Sequence, residues 1–160
     1  MPEEQPQEET NQVQSKEKEQ HEAYKKLMKQ IEFFQPFDDT EIDKLFKYCS
    51  IRKYEAGEII TKENVEDYIF YVVLKGSVRI TKVDLSHTKR HLATIKAGGC
   101  FGEMAILLHE KRTATASAEN DCFIIEIDAR MEELELEIQV KILRQFGIIV
   151  SKRLSDSNLR

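Results

Sequence analysis

Apolar side chains recur at intervals of three or four between Tyr24 and Phe34, where Tyr24, Leu27, Met28, Ile31 and Phe34 trace one face of an amphipathic helix. Pro36 ends that helix, because a proline drives the preceding residue out of the helical region. Asp38, Asp39 and Thr40 then offer capping oxygens for a second, short helix that places Ile42, Leu45, Phe46 and Cys49 on one face. After Ser50 the character turns to β. Short segments rich in Val, Ile, Thr and aromatic residues follow at 51–54, 58–61, 68–74, 77–83, 91–95 and 114–127. Glycines at 57, 76, 98, 99 and 102 fall between or just after them, and 83–91 is a polar hairpin connection. Many short strands with glycine turns predict a sandwich or barrel. Past Asp128 helical spacing returns in Leu134, Ile138, Ile142, Phe146, Ile149 and Val150, with Leu136, Val140 and Leu143 beside them. Two helices are expected there rather than one, with Glu132, Glu133, Glu135 and Glu137 crowding the first and Lys141, Arg144, Lys152, Arg153 and Arg160 the second, which suits the helix dipole at the overall start and end.

Composition narrows the picture. Of 160 residues, 41% are hydrophobic and 33% charged, enough for one domain with a core of its own. The net charge of −5 is concentrated in 1–20, where six Glu face two Lys and almost no apolar residue occurs, so 1–20 is expected to be a disordered acidic tail and 21–160 the domain. The near-neutral remainder excludes a broad phosphate-binding face, so no nucleic-acid partner is expected. The longest apolar run, 69–74, is far short of the about 20 residues that cross a bilayer, so no membrane partner is expected either. The start lacks the apolar segment of a signal peptide. Cys49, Cys100 and Cys122 form no paired framework and point to a reducing cytoplasm, with Cys100 read as an apolar filler. His87 and His91 are read as solvated, and with no His-x-His spacing a metal-dependent jelly-roll enzyme is disfavoured.

Candidate chemistry concentrates in 97–115. A glycine pair, a third glycine, the carboxylate of Glu103, a short apolar helix from Gly102 to Leu108, and Arg112 entering a strand follow one another. Backbone N–H groups at the helix start suit an anion, and Arg112 offers a planar fork for phosphate oxygens. Glu103 can accept from a sugar hydroxyl. The bland alternative is a surface ion pair between Glu103 and Arg112.

Phe101-Gly102-Glu103-Met104-Ala105-Ile106-Leu107, with Arg112 nine residues after Glu103, resembles the phosphate-binding cassette of cyclic nucleotide-binding domains. The likeness continues upstream in Ala56-Gly57-Glu58-Ile59-Ile60 and in Leu74-Lys75-Gly76-Ser77-Val78-Arg79-Ile80, and covers about residues 30 to 155. It implies a mainly β fold with flanking helices, a double-stranded β-helix or jelly-roll-like β-roll, with N-terminal helices and two C-terminal ones. It implies a ligand, cAMP or cGMP, with no cofactor, no metal and no catalytic residue. The expected ligand-binding residues are Gly102, Glu103, Met104, Ala105, Arg112, Thr113 and Ala114: Glu103 on the ribose 2′-hydroxyl, Arg112 on the phosphate, the Gly102 and Ala105 amides beside them, and Thr113 near a guanine edge. His109, Glu110 and Lys111 depart from the small turn residues and proline usual before the arginine. Two functions stay open at this point: a cyclic nucleotide sensor that signals to a protein effector as residues 139–154 fold over the pocket, or a domain of the same fold that binds no nucleotide and serves as a scaffold. A homodimer through the C-terminal apolar stripe is a further possibility.

Overall fold

The computed structural model describes residues 5–130 and 132–158, and side chains at 10–130 and 132–157. The chain divides into two compact units, 1–35 and 36–160, so the boundary expected at residue 20 falls inside a helix and the division comes after Gln35.

The first unit consists of α1 (Gln5–Lys29) and a 3-10 turn (Glu32–Phe34), with the Phe33 and Phe34 rings edge to face at 5.0 Å. The disordered tail expected over 1–20 is thereby corrected from residue 5 onward, while residues 1–4 lie outside the described residues. Sparse apolar content had argued against order, yet Gln, Glu and Lys are good helix formers and continue the helix that Tyr24 and Leu27 begin.

The second unit opens with α2 (Asp39–Phe46). Asp38 caps it as foreseen: its Oδ1 accepts from the Glu41 amide at 2.8 Å, and Glu41 Oε1 accepts in return from the Asp38 amide at 3.1 Å. Eight strands follow: β1 (Cys49–Tyr54), β2 (Ile59–Thr61), β3 (Ile69–Lys75), β4 (Ser77–Val83), β5 (Lys89–Lys96), β6 (Cys100–Phe101), β7 (Thr115–Ala118) and β8 (Cys122–Asp128). They form two antiparallel four-stranded sheets, ordered β1-β8-β3-β6 and β2-β7-β4-β5, which is the double-stranded β-roll the sequence implied. The segment 114–127, read as one strand, is two, because Glu119, Asn120 and Asp121 turn the chain between the sheets.

Strand β3 explains the uninterrupted apolar run. Its residues alternate between the two faces of its sheet, and both faces are covered. Tyr71 and Val73 enter the core between the sheets with Tyr54, Val78, Phe101, Ala116 and Ile124. Phe70, on the opposite face, meets Phe146 of α4 (Leu136–Asn158) at 4.5 Å between ring centroids. Edge strand β5, by contrast, exposes Lys89, Arg90, His91 and Lys96, charged or polar side chains that guard an edge from further pairing.

The expectation of two C-terminal helices is corrected: α4 is one helix, and 132–135 is a turn. Glu133 and Glu135 are used there as tethers, and Glu137 alone of the four acidic residues lies in the first turn of α4. Tyr48 donates its hydroxyl to Glu133 at 3.3 Å, Lys44 pairs with Glu135, and the Gln139 side chain donates to the Leu134 carbonyl at 2.7 Å. Lys141 pairs with Glu41 of α2 at 2.6 Å, which fixes the first half of α4.

Candidate ligand-binding site

Helix α3 (Glu103–Leu108) follows directly on β6, and Gly102 stands at its N-cap with φ +93°. That left-handed conformation favours glycine, and the space does too. A Cβ there would lie 2.7 Å from Arg112 Nη1, 3.1 Å from the Ile69 carbonyl oxygen and 3.2 Å from the Tyr71 ring. His109, one of the departures from the family pattern, ends α3 in a left-handed conformation at φ 53°. Glu110 then donates its amide to the Ala105 carbonyl at 3.1 Å, so the turn closes despite its bulky residues.

Arg112 is drawn into the domain, with only 4% of its surface exposed. Its backbone is held on both sides: the Arg112 amide donates to the Val65 carbonyl at 2.8 Å, and its carbonyl accepts from the Asn64 amide at 2.7 Å. Its guanidinium donates to the Gly102 carbonyl at 2.8 Å and also to Asp67 and the Ile69 carbonyl. The guanidinium carbon lies 5.5 Å from the centre of the Tyr71 ring, which in turn stacks on Phe101 at 4.7 Å. Burial pushes the Tyr71 hydroxyl up to about 12, with the Asp67 carboxylate adding to the rise and Arg112 opposing it, so Tyr71 stays neutral at physiological pH.

Glu103 is fully buried. Its Oε1 pairs with Arg153 of α4, whose guanidinium also donates to the Cys100 carbonyl. Glu103 Oε2 and Arg112 Nε are buried and have no hydrogen-bond partner among the described residues. Two unsatisfied polar atoms, one anionic and one cationic, are costly in a core unless something of matching chemistry meets them.

All seven expected residues, Gly102, Glu103, Met104, Ala105, Arg112, Thr113 and Ala114, line one cavity of about 210 Å³. Ile80, Ala93 and Ile95, with Phe101 and Ala116, form an apolar side suited to a flat aromatic ring, and Thr61 and Arg153 complete the lining. The surface ion pair between Glu103 and Arg112 that the bland reading required is absent among the described residues. Each instead is buried itself and reaches a more exposed partner of its own, Arg153 for Glu103 and Asp67 for Arg112. Sequence reasoning missed Asp67, Tyr71 and Arg153. Asp67 stands just before a buried strand but directly after Glu66, so the sequence did not single it out, and Arg153 carried no local signal and stood in a basic helix end. The segment 139–154 was expected to close over the pocket with ligand, and its Arg153 already reaches the cavity here. Cys100 is buried, as the filler reading held, and His91 is exposed on β5. Among the described residues no group of three His, Cys, Asp or Glu is placed to hold a metal, and no helix is long and apolar enough to cross a membrane.

We expect that Gly102→Ala disrupts this site more than a methyl group would elsewhere, because it combines a disfavoured φ with a clash against Arg112. The expected result is a loss of thermal stability of about 1–3 kcal/mol by calorimetric or denaturant unfolding. Equal stability of the variant would show that Arg112 can move aside freely.

Comparison with known proteins agrees with the geometry. The sequence family described as the cyclic nucleotide-binding domain matches residues 51–133. The chain is 27% identical to cGMP-dependent protein kinase 2 of Homo sapiens over 109 residues, 67% of this chain and 14% of the kinase. It is also 27% identical to the cyclic AMP receptor protein of Thermus thermophilus over 133 residues, 82% of this chain and 61% of the receptor. The chain thus spans less than two thirds of the length of either relative. Among solved structures, the regulatory subunit of a cAMP-independent protein kinase A from Trypanosoma brucei superimposes with a TM-score of 0.70 at 22% identity, covering 87% of this chain and 51% of that one, a likeness of fold alone.

Proposed function

The chain belongs to the cyclic nucleotide-binding domain family, and from that premise we propose that it is a regulatory module that binds cAMP or cGMP, catalyses nothing, and signals to a protein effector through α4. The observation that carries this reading is the divided use of one buried carboxylate. Glu103 lines the ligand cavity, its Oε1 is held by Arg153 of α4, and its Oε2 is buried without a hydrogen-bond partner among the described residues. A ribose 2′-hydroxyl donating to Oε2 would share the carboxylate with the helix, so occupancy of the pocket would be felt at Arg153. Arg112 Nε and the first amides of α3 suit the cyclic phosphate, whose charge they match. The Ile80, Ala93 and Ile95 side suits the base. A cavity of about 210 Å³ is smaller than the ~300–1,000 Å³ common for ligand sites, so ligand entry must move something. Arg153, at 43% side-chain exposure, is a part of its lining that can move outward into solvent. The coupling is bounded by the ligand's difference in affinity for the two positions of α4, of order 1–3 kcal/mol. The proposed setting is the cytoplasm.

Titration calorimetry with cAMP and with cGMP tests the reading, and saturable binding of at least one is expected. Glu103→Ala should weaken the ribose ligand strongly and its 2′-deoxy analogue much less, while hydrogen exchange across 139–154 should change on saturation. Failure of both nucleotides to bind the folded protein would sink the reading in favour of a scaffold of the same fold. One feature favours that second reading: the guanidinium of Arg112 already has three acceptors, Asp67, the Ile69 carbonyl and the Gly102 carbonyl, and so presents less of itself to a phosphate.

A further inference from the structure

Strands β4, β5 and β7 line two cavities, one on each face of their sheet, because alternate residues of a strand point to opposite faces. Ile80, Ala93 and Ala116 line the ligand pocket on the inner face. Arg79, Thr81, Lys89, His91, Thr115 and Ser117 line a second, open cleft of about 540 Å³ on the outer one. The register brings these six together: Thr81 lies between Thr115 of β7 and His91 of β5, and Arg79 lies beside Ser117. A shift in the pairing of β4 with β5 decides which residues of β5 take part. Ile80 pairs with Ala93 and Thr81 with His91, so Leu92 is the extra residue of a bulge. Regular alternation from Ala93 would turn His91 and Lys89 inward, and the bulge instead sets both on the outer face with Arg79. The His91 ring is held there by Thr94, with Nε2 2.9 Å from Oγ1.

The cleft has the chemistry of an anion site. Arg79 and Lys89 are exposed and have no ion-pair partner among the described residues. Glu119, the carboxylate at its border, is engaged by the Ser77 hydroxyl at 3.0 Å. Thr81 is only 4% exposed, and its hydroxyl makes no hydrogen bond among the described residues, so a buried polar group faces the cleft unmet. Thr115 Oγ1 accepts from the Glu63 amide at 3.1 Å, which leaves its O–H free to donate. The volume falls within the ~300–1,000 Å³ common for small-molecule sites, so the occupant is a small molecule rather than a protein surface. Lys89 pairs with Val83, four residues along β4 from Arg79, and Thr81 and His91 lie between. At ~3.4 Å per residue the cationic row is about 14 Å long, more than one phosphate spans. We propose that this cleft binds a small molecule through a linear chain of two or three phosphates. Arg79 and Lys89 hold its two ends, and the Thr81 and Thr115 hydroxyls donate to the oxygens between them. The site uses neither Glu103 nor Arg112, so it stands whether or not the inner pocket binds a cyclic nucleotide.

Titration calorimetry of the full chain with sodium tripolyphosphate tests the proposal. Saturable binding is expected, with orthophosphate weaker by about tenfold or more, since it reaches one end of the row only. Arg79→Glu and Lys89→Glu should each weaken tripolyphosphate by about 10- to 100-fold with an unchanged circular dichroism spectrum, because both side chains are exposed and support no core. Thr81→Val keeps the shape of the side chain and removes its hydroxyl, and should cost about fivefold in affinity. Lys53→Glu, the same change of charge at an exposed position on β1 of the other sheet, should leave binding unaltered. No binding of tripolyphosphate at millimolar concentration would overturn the proposal. So would binding indifferent to Arg79→Glu and Lys89→Glu, which places the anion elsewhere, or a loss as large with Lys53→Glu, which reduces the effect to overall charge. Orthophosphate bound as tightly as tripolyphosphate would overturn the linear chain of phosphates.

Discussion

Replacing Arg112 with alanine is expected to lower cyclic nucleotide affinity by about 30- to 1000-fold, the equivalent of about 2–4 kcal/mol for a charge-assisted contact to phosphate. The same substitution should also cost stability, because Arg112 is the partner of Asp67 and of two backbone carbonyls. Removing one member of a fully buried pair costs about 3–5 kcal/mol. Asp67 keeps a quarter of its side-chain surface exposed, so solvent takes over part of the lost contact and the cost falls below that range. Binding and unfolding must therefore be measured on the same sample. Arg112→Lys separates the two effects, since it keeps the charge but not the planar fork that reaches three acceptors at once. Unaltered affinity in a folded Arg112→Ala protein would remove Arg112 from the site.

Phe146→Ala is expected to cost about 3–5 kcal/mol of unfolding free energy, the usual penalty for emptying a fully enclosed aromatic site. Phe146 is 1% exposed and packs on Phe70, and it is the large aromatic anchor of α4 on the β3 sheet. Urea unfolding followed by circular dichroism would measure the loss. If α4 carries the signal, hydrogen exchange in the variant should rise across 139–154 even without nucleotide, and nucleotide should change it less. A variant as stable as the parent would show that the helix is not seated through this ring.

The strands were legible because their residues obey a local rule. Ser77–Val83 matches its expected bounds, since Gly76 and the polar loop after Val83 fence it on both sides. The capping box at Asp38 was half visible: the candidate caps were named, but not the return contact from Glu41. The cassette was legible for a different reason, that its glycines, carboxylate and arginine lie within fifteen residues of one another. What escaped was every decision made at long range. Low apolar content over 1–20 does not report that a helix nucleated by 24–29 can extend backward through good helix formers. The acidic cluster at 132–137 resembles a helix start until Tyr48 and Lys44, some 85 to 91 residues earlier, claim two of its carboxylates. Arg153 is fifty residues from Glu103, and no period in the sequence relates them.

Strand β3 has one more property, which concerns how fast news of the pocket can travel. Its odd-numbered residues Tyr71 and Val73 belong to the pocket side and its even-numbered neighbours Phe70 and Val72 to the other face, all of them buried. A strand packed on both faces cannot tilt or slide without opening two cores together, so it moves only with the slow collective rearrangements of the whole domain. The bridge from Glu103 to a half-exposed arginine bypasses that wall and requires no more than a side-chain rearrangement at its outer end. The sheet therefore separates the pocket from the helix, and the Glu103–Arg153 pair at the rim joins them around it.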